Sequence, residues 1–175
     1  MANFSIAGSE INFTYSALEI FVSGCTHGCK GCQNPELQKF GVGKAWPRWL
    51  REKSFDIFQG LSLLIDKIWI VGGDLLCQET GDAVEFLRTL RKTNPKLQIV
   101  VWTGMETIQE VPDEIWKLVD GVKLGSYIKG RKSYEADYLD PKLGDTTVKL
   151  ASDNQYFVMK GISDEAEDTA GCSIN

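Results

Sequence analysis

The chain of 175 residues predicts an α/β domain, a partial (open) β/α barrel with a mostly parallel sheet. Short apolar runs alternate with segments of helical spacing along most of its length, the order that builds parallel strands. Three unusual loops each follow directly on an apolar run: Cys25 to Cys32, Gly72-Gly73-Asp74 and Trp102-Thr103-Gly104. The length falls short of the roughly 250 residues of a closed eight-fold barrel, so the sheet can form only part of one. An open flank suits a large substrate better than a small one.

Leu18 to Val22 is the first expected strand, ending in the cysteine loop. A helix is expected over Trp49 to Ile65, where Leu50, Phe55, Ile57, Phe58, Leu61, Leu64 and Ile65 recur at helical spacing. Lys67 to Val71 is a buried strand stopped by Gly72-Gly73, and Asp82 to Lys92 a helix broken by Asn94-Pro95. Leu97 to Trp102 forms a third strand. Pro112 suits the first turn of a helix reaching Leu118 or Val119. Gly121 to Leu124 and Tyr156 to Lys160 complete the strands, while Gly125 to Ser152 has too weak a pattern to assign. Residues 1–160 form one domain by this reading, and 161–175 an acidic, mobile tail.

The composition, 43% hydrophobic and 25% charged, is that of a soluble globular protein. A net charge of −5 without a basic block argues against a nucleic-acid partner or an acidic membrane surface. No apolar run approaches the roughly 20 residues that span a bilayer. The amino terminus lacks the features of a secretory signal, and the cysteine count of five is odd. A reducing cytoplasm is the expected compartment.

Cys25, Cys29 and Cys32 have the spacing C-x-x-x-C-x-x-C. Three thiolates are one fewer than a closed tetrahedral site requires. On a 4Fe–4S cluster they would leave one iron open to exogenous chemistry. A structural zinc with His27 or Cys77 as fourth ligand is the competing reading, although zinc motifs more often pair two-residue spacings. Free thiols are a third.

Further along, Gly31 precedes the last cysteine and Gln33-Asn34 follows it. Then come Gly72-Gly73-Asp74, Val101-Trp102-Thr103-Gly104, Val119-Asp120-Gly121 and Ser152-Asp153-Asn154-Gln155. In this order, over most of Glu19 to Phe157, the chain resembles the radical S-adenosylmethionine enzymes. More narrowly it resembles the activating proteins of anaerobic ribonucleoside-triphosphate reductase. Two positions depart from that pattern. The segment Gly8 to Tyr15 lacks the family's Gly-Pro-Gly and arginine, and Leu75 stands where a proline is usual.

The resemblance implies that Cys25, Cys29 and Cys32 hold a 4Fe–4S cluster and are the catalytic centre. S-adenosyl-L-methionine would bind the remaining iron, in contact with Gly31, Cys32, Gln33, Gly72, Gly73, Asp74, Trp102 and Thr103. Gly72 and Gly73, lacking a Cβ, would let the backbone approach the methionine moiety, and Asp74 would accept from its ammonium. The implied partners are the glycyl-radical subunit of the reductase and an electron donor such as flavodoxin, with homodimerisation left open. Three functions follow as alternatives: a reductase activase, a radical enzyme modifying another protein or a small molecule, and a non-catalytic iron–sulfur or zinc protein. Taken alone, Trp102 at a strand end is more often core than site, Cys77 reads as a small core residue, and His27 as a residue shaping the cysteine loop.

Overall fold

The computed structural model describes residues 3–55 and 63–161. Among these, nine strands form two sheets: β1 (Ser5–Asn12), β2 (Ala17–Val22), β3 (Lys44–Ala45), β4 (Lys67–Gly72), β5 (Gln98–Trp102), β6 (Gly121–Leu124), β7 (Tyr134–Asp140), β8 (Gly144–Leu150) and β9 (Tyr156–Met159). The large sheet has the order β3-β1-β2-β4-β5-β6-β9, and β7 and β8 pair separately as a hairpin. The centre, β2-β4-β5-β6, is parallel throughout. Both flanks are antiparallel, through β1 on β2 and β9 on β6.

The central strands are apolar on both faces because both faces are covered. On one side Leu18, Ile20, Ile68, Ile70, Ile99, Val101 and Val122 pack under α1 (Trp46–Phe55), α2 (Thr80–Thr93) and α3 (Asp113–Trp116). On the other, Ala17, Trp69 and Val100 meet Ala136, Tyr138, Val148 and Leu150 of the hairpin. Lys67, 2% exposed, ties the two layers at the strands' N-terminal end through Asp66 and Asp140. At the other end of these strands the hairpin leaves a cavity.

The expected order of β2, β4, α2, β5, β6 and β9 is present, with α2 starting two residues before its expected first residue. Four strands were not expected: β1, β3 and the hairpin pair. The helix expected over Trp49 to Ile65 begins earlier, at Trp46, and α1 is described as far as Phe55. Residues 56–62 of that expectation lie outside the described residues, and Leu63 and Leu64 form an exposed turn. α3 is short, Asp113–Trp116, but Leu118 and Val119 continue it through bonds to Ile115 and Trp116. Of the expected acidic tail, residues 162–175 lie outside the described residues. No helix among the described residues is long and apolar enough to cross a membrane.

Candidate cluster and cofactor site

The cysteine loop leaves β2 and is pinned by backbone bonds from two sides. Gly24 and Cys25 donate to the carbonyls of Leu37 and Gln38, on the short turn Pro35–Gln38, at 2.8 and 3.0 Å. From the neighbouring strand end, Gly73 donates to Val22 and Asp74 to Gly24, at 2.7 and 3.0 Å. The amide nitrogen of Gln78 adds bonds to the carbonyls of Gly24 and Asp74, at 3.0 and 2.9 Å. The loop therefore needs two partner segments to take its shape.

Beside it lies an open cavity of about 510 Å³ at the C-terminal ends of the parallel strands. Such strand ends are where ligands of α/β sheets gather. Cys25, Cys29, Cys32, Gln33, Gly72, Gly73, Asp74, Trp102 and Thr103 all line it. Of the expected site residues only Gly31 does not. Its φ of +73° and the Lys129 side chain lying over it are what call for a glycine there.

Asp74 is the hub of the site. Its Oδ2 accepts from Thr103 Oγ1 at 2.6 Å and Gly104 N at 2.9 Å, and lies 2.6 Å from His27 Nε2. Its Oδ1 accepts from Leu76 N at 2.8 Å, capping the turn that carries Cys77. A carboxylate so occupied and 1% exposed joins the three loops to one another. These bonds give Asp74 a role within the protein beside the one expected of it, and it still lines the cavity. The hydrogen bond to Asp74 raises the His27 pKa to about 10.

The glycine pair also has a packing role within the protein. A Cβ on Gly73 would lie 2.7 Å from the Gly24 carbonyl and 2.9 Å from those of Leu37 and Val22. One on Gly72, at φ +94°, would lie 2.9 Å from Leu37 Cδ1 and from the Val22 carbonyl. The glycines are required by the close approach of the cysteine loop itself, before any ligand is considered.

Three features lie beyond the expected cluster and cofactor residues. Cys77, expected as a small core residue, is half-buried with its Sγ 3.3 Å from Thr26 Oγ1. The neighbouring Cys25 holds the Cys77 pKa down to about 4, and Cys77 in turn pushes the Cys25 thiol up. Lys123 is buried in the cavity wall, donating to the Gly125 carbonyl at 3.0 Å, with its ammonium 5.9 Å from the centre of the Trp102 ring. Burial lowers its pKa to about 8. Lys149, Ala151 and Gln155 close the far wall. A lysine inside the apolar strand Gly121 to Leu124 was a signal in the sequence; the hairpin residues gave none.

These residues fit a cluster with a polar organic ligand. Three soft thiols share one wall, which suits iron. The buried indole N–H of Trp102 has no hydrogen-bond partner among the described residues, and a buried donor of this kind calls for an acceptor. Lys123 and Lys149 bring positive charge to the same space.

An α/β domain with three cysteines at the mouth of a strand-end cavity defines a cluster-binding protein, and the chain belongs to the 4Fe-4S single cluster domain family, whose model matches residues 16–144. Within curated proteins it is a divergent relative of those named anaerobic ribonucleoside-triphosphate reductase-activating protein. That of Escherichia coli (strain K12) is 29% identical over 109 residues, covering 58% of this chain and 71% of the relative. That of Haemophilus influenzae is 28% identical over 95 residues, 54% of this chain and 61% of the relative. That of Pasteurella multocida is 25% identical over 125 residues, 71% of this chain and 77% of the relative. No solved structure matches the chain.

Proposed function

We propose that this chain is a radical S-adenosylmethionine activase, which generates a glycyl radical on an anaerobic ribonucleoside-triphosphate reductase. The observation that carries this reading is the shared cavity of Cys25, Cys29 and Cys32 with Gly72-Gly73-Asp74 and Trp102-Thr103. The names of its relatives supply the target. When bound, the cluster and S-adenosylmethionine supply a 5′-deoxyadenosyl radical able to take hydrogen from a glycine of the partner.

The protein's part is to hold and orient. Cys25, Cys29 and Cys32 provide the thiolates. Gln33, Trp102 and the backbone at Gly72 and Gly73 form the cofactor's walls, and Asp74 fixes the positions of the loops around it. Lys123 and Lys149 offset the negative charge of a thiolate-held cluster and a carboxylate. Residues 1–160 act as one domain, a partial barrel whose open flank admits the reductase. An electron donor such as flavodoxin would supply the electron to a cluster held there, and a reducing cytoplasm would keep the thiols available.

The test is anaerobic reconstitution with iron and sulfide, reduction, and assay for 5′-deoxyadenosine with and without the reductase. Product formation, loss of product in Cys29→Ala, and a glycyl-radical signal on the reductase support the proposal. Product without that signal would redirect it to another substrate. A fully loaded cluster that gives no product would leave electron transfer or binding.

A further inference from the structure

We infer that Cys25, His27 and Cys77 form a binding site for one thiophilic divalent cation of the zinc class, occupied in the cluster-free chain and exclusive with the cluster. The ligand atoms of these residues lie within 4.8 Å of one another. A tetrahedral zinc with two sulfur ligands and one nitrogen sets them roughly 3.5–3.8 Å apart, so contraction by at most about 1.3 Å completes the tripod. Cys29 and Cys32 stand outside this group, so it is distinct from the C-x-x-x-C-x-x-C set and shares only Cys25 with it.

The surroundings are those of a metal site. His27 Nε2 lies 2.6 Å from Asp74 Oδ2, the carboxylate–imidazole pairing that orients metal-bound histidines, and a proton held there leaves Nδ1 free to ligate. The ring is packed against Gly104, where a Cβ would come within 2.6 Å of His27 Cδ2. The backbone N–H of Thr26 points at Cys77 Sγ from 3.5 Å, and Thr26 Oγ1 is 3.3 Å away; both can donate to a metal-bound thiolate. The fourth position is left to water or an exogenous ligand. Binding releases the thiol proton of Cys25 and one ring proton of His27 to solvent and transfers no electron, so no oxidant or reductant is required.

The inference goes beyond the activase reading, and only its exclusivity rests on that reading. Because one thiolate cannot serve both centres, a cation on this tripod withholds Cys25 from the cluster. Soft divalent ions would then set how readily the chain can be loaded.

The experiment titrates anaerobic, metal-free protein with Co²⁺ alone and then with Zn²⁺ alone, by equilibrium dialysis and by the thiolate-to-cobalt absorption. One equivalent is expected. Cys77→Ser should weaken it by about tenfold or more and lower the charge-transfer intensity from that of two thiolates to that of one. Cys29→Ala should bind as the parent does. Equal weakening by Cys29→Ala, or none by Cys77→Ser, would overturn the site. Circular dichroism checks folding, and His27→Ala is the second variant should Cys77→Ser not fold. Iron and sulfide are then added to the zinc-loaded chain. Slowed cluster formation in the parent, relieved in the Cys77 or His27 variant, supports exclusivity; equal rates overturn it. Failure of zinc-free parent protein to form a cluster would count against the cluster reading alone, with the cobalt data still deciding the cation site.

Discussion

His27 Nε2 lies 2.6 Å from Oδ2 of Asp74, a side chain 47 positions later in the chain and on a different strand end. The same oxygen accepts from Thr103 and Gly104, so a single buried carboxylate fastens three strand-end loops together. The cysteine loop owes its position to this contact as well as to its own spacing.

Asp74→Asn should therefore loosen the whole site. An amide places a donor, or a weaker acceptor, where three donors converge, at a cost of about 2–3 kcal/mol. The urea midpoint should fall, and iron retained after reconstitution should fall with it. An unchanged midpoint would show that the hub contributes nothing to stability.

Gly73→Ala should be costly for steric reasons alone. Its Cβ meets three backbone carbonyls at 2.7–2.9 Å, none of which can rotate away. A loss of about 1–3 kcal/mol is expected, together with poorer iron loading, because Gly24 precedes Cys25. Gly8→Ala, with nothing within 4 Å of the added atom, is the control and should stay within about 0.5 kcal/mol. Equal thermal midpoints for the two variants would contradict this packing.

Tyr138→Phe tests the hairpin layer apart from the site. The buried hydroxyl accepts from Trp69 Nε1 at 3.0 Å and donates to Gln98 Oε1 at 2.6 Å. Its removal leaves a donor and an acceptor unmatched, costing about 1–3 kcal/mol. Iron binding should be unaffected in the folded variant. Iron loss in step with stability would mean that the two sheets are coupled more tightly than their contacts suggest.

Lys123 gives the cluster-free chain a pH dependence. Burial depresses its pKa to about 8, against partial compensation by Asp74, Cys29 and Glu106. Above the ordinary lysine value of about 10.4 the ammonium is absent from folded and unfolded chains alike. Between about 8 and that value the unfolded chain binds more protons, so stability rises with pH across this window and falls as pH drops through about 8. Lys123→Met should remove this contribution. Urea midpoints from pH 7 to 10 should show a smaller rise in the variant than in the parent, and parallel curves would discount the buried charge.

The parallel centre was legible because a strand covered on both faces must be apolar along its length, as Lys67-Ile68-Trp69-Ile70-Val71 is. β1 escaped notice because Ser5 to Asn12 is polar and only partly buried, and its order comes from pairing with β2. In the hairpin, the alternation of buried Ala136, Tyr138 and Asp140 with less buried neighbours was present, but its buried aspartate makes sense only beside Lys67. The three cysteines and the loops after β4 and β5 were legible as a site because each follows an apolar run. Cys77 and Lys149 were not, since neither carries a local pattern.

By itself the sequence determined the central strands, the three thiols and the loops that follow those strands, because apolar patterning and cysteine spacing are local properties of the chain. Only the tertiary structure decided what Asp74, Gly73 and Cys77 do. Their partners lie on other segments: Asp74 spends its charge within the protein, Gly73 yields to the cysteine loop, and Cys77 stands beside Cys25. Local pattern reports which face a residue turns to the core, whereas a contact between distant segments exists only once the sheet has brought them together.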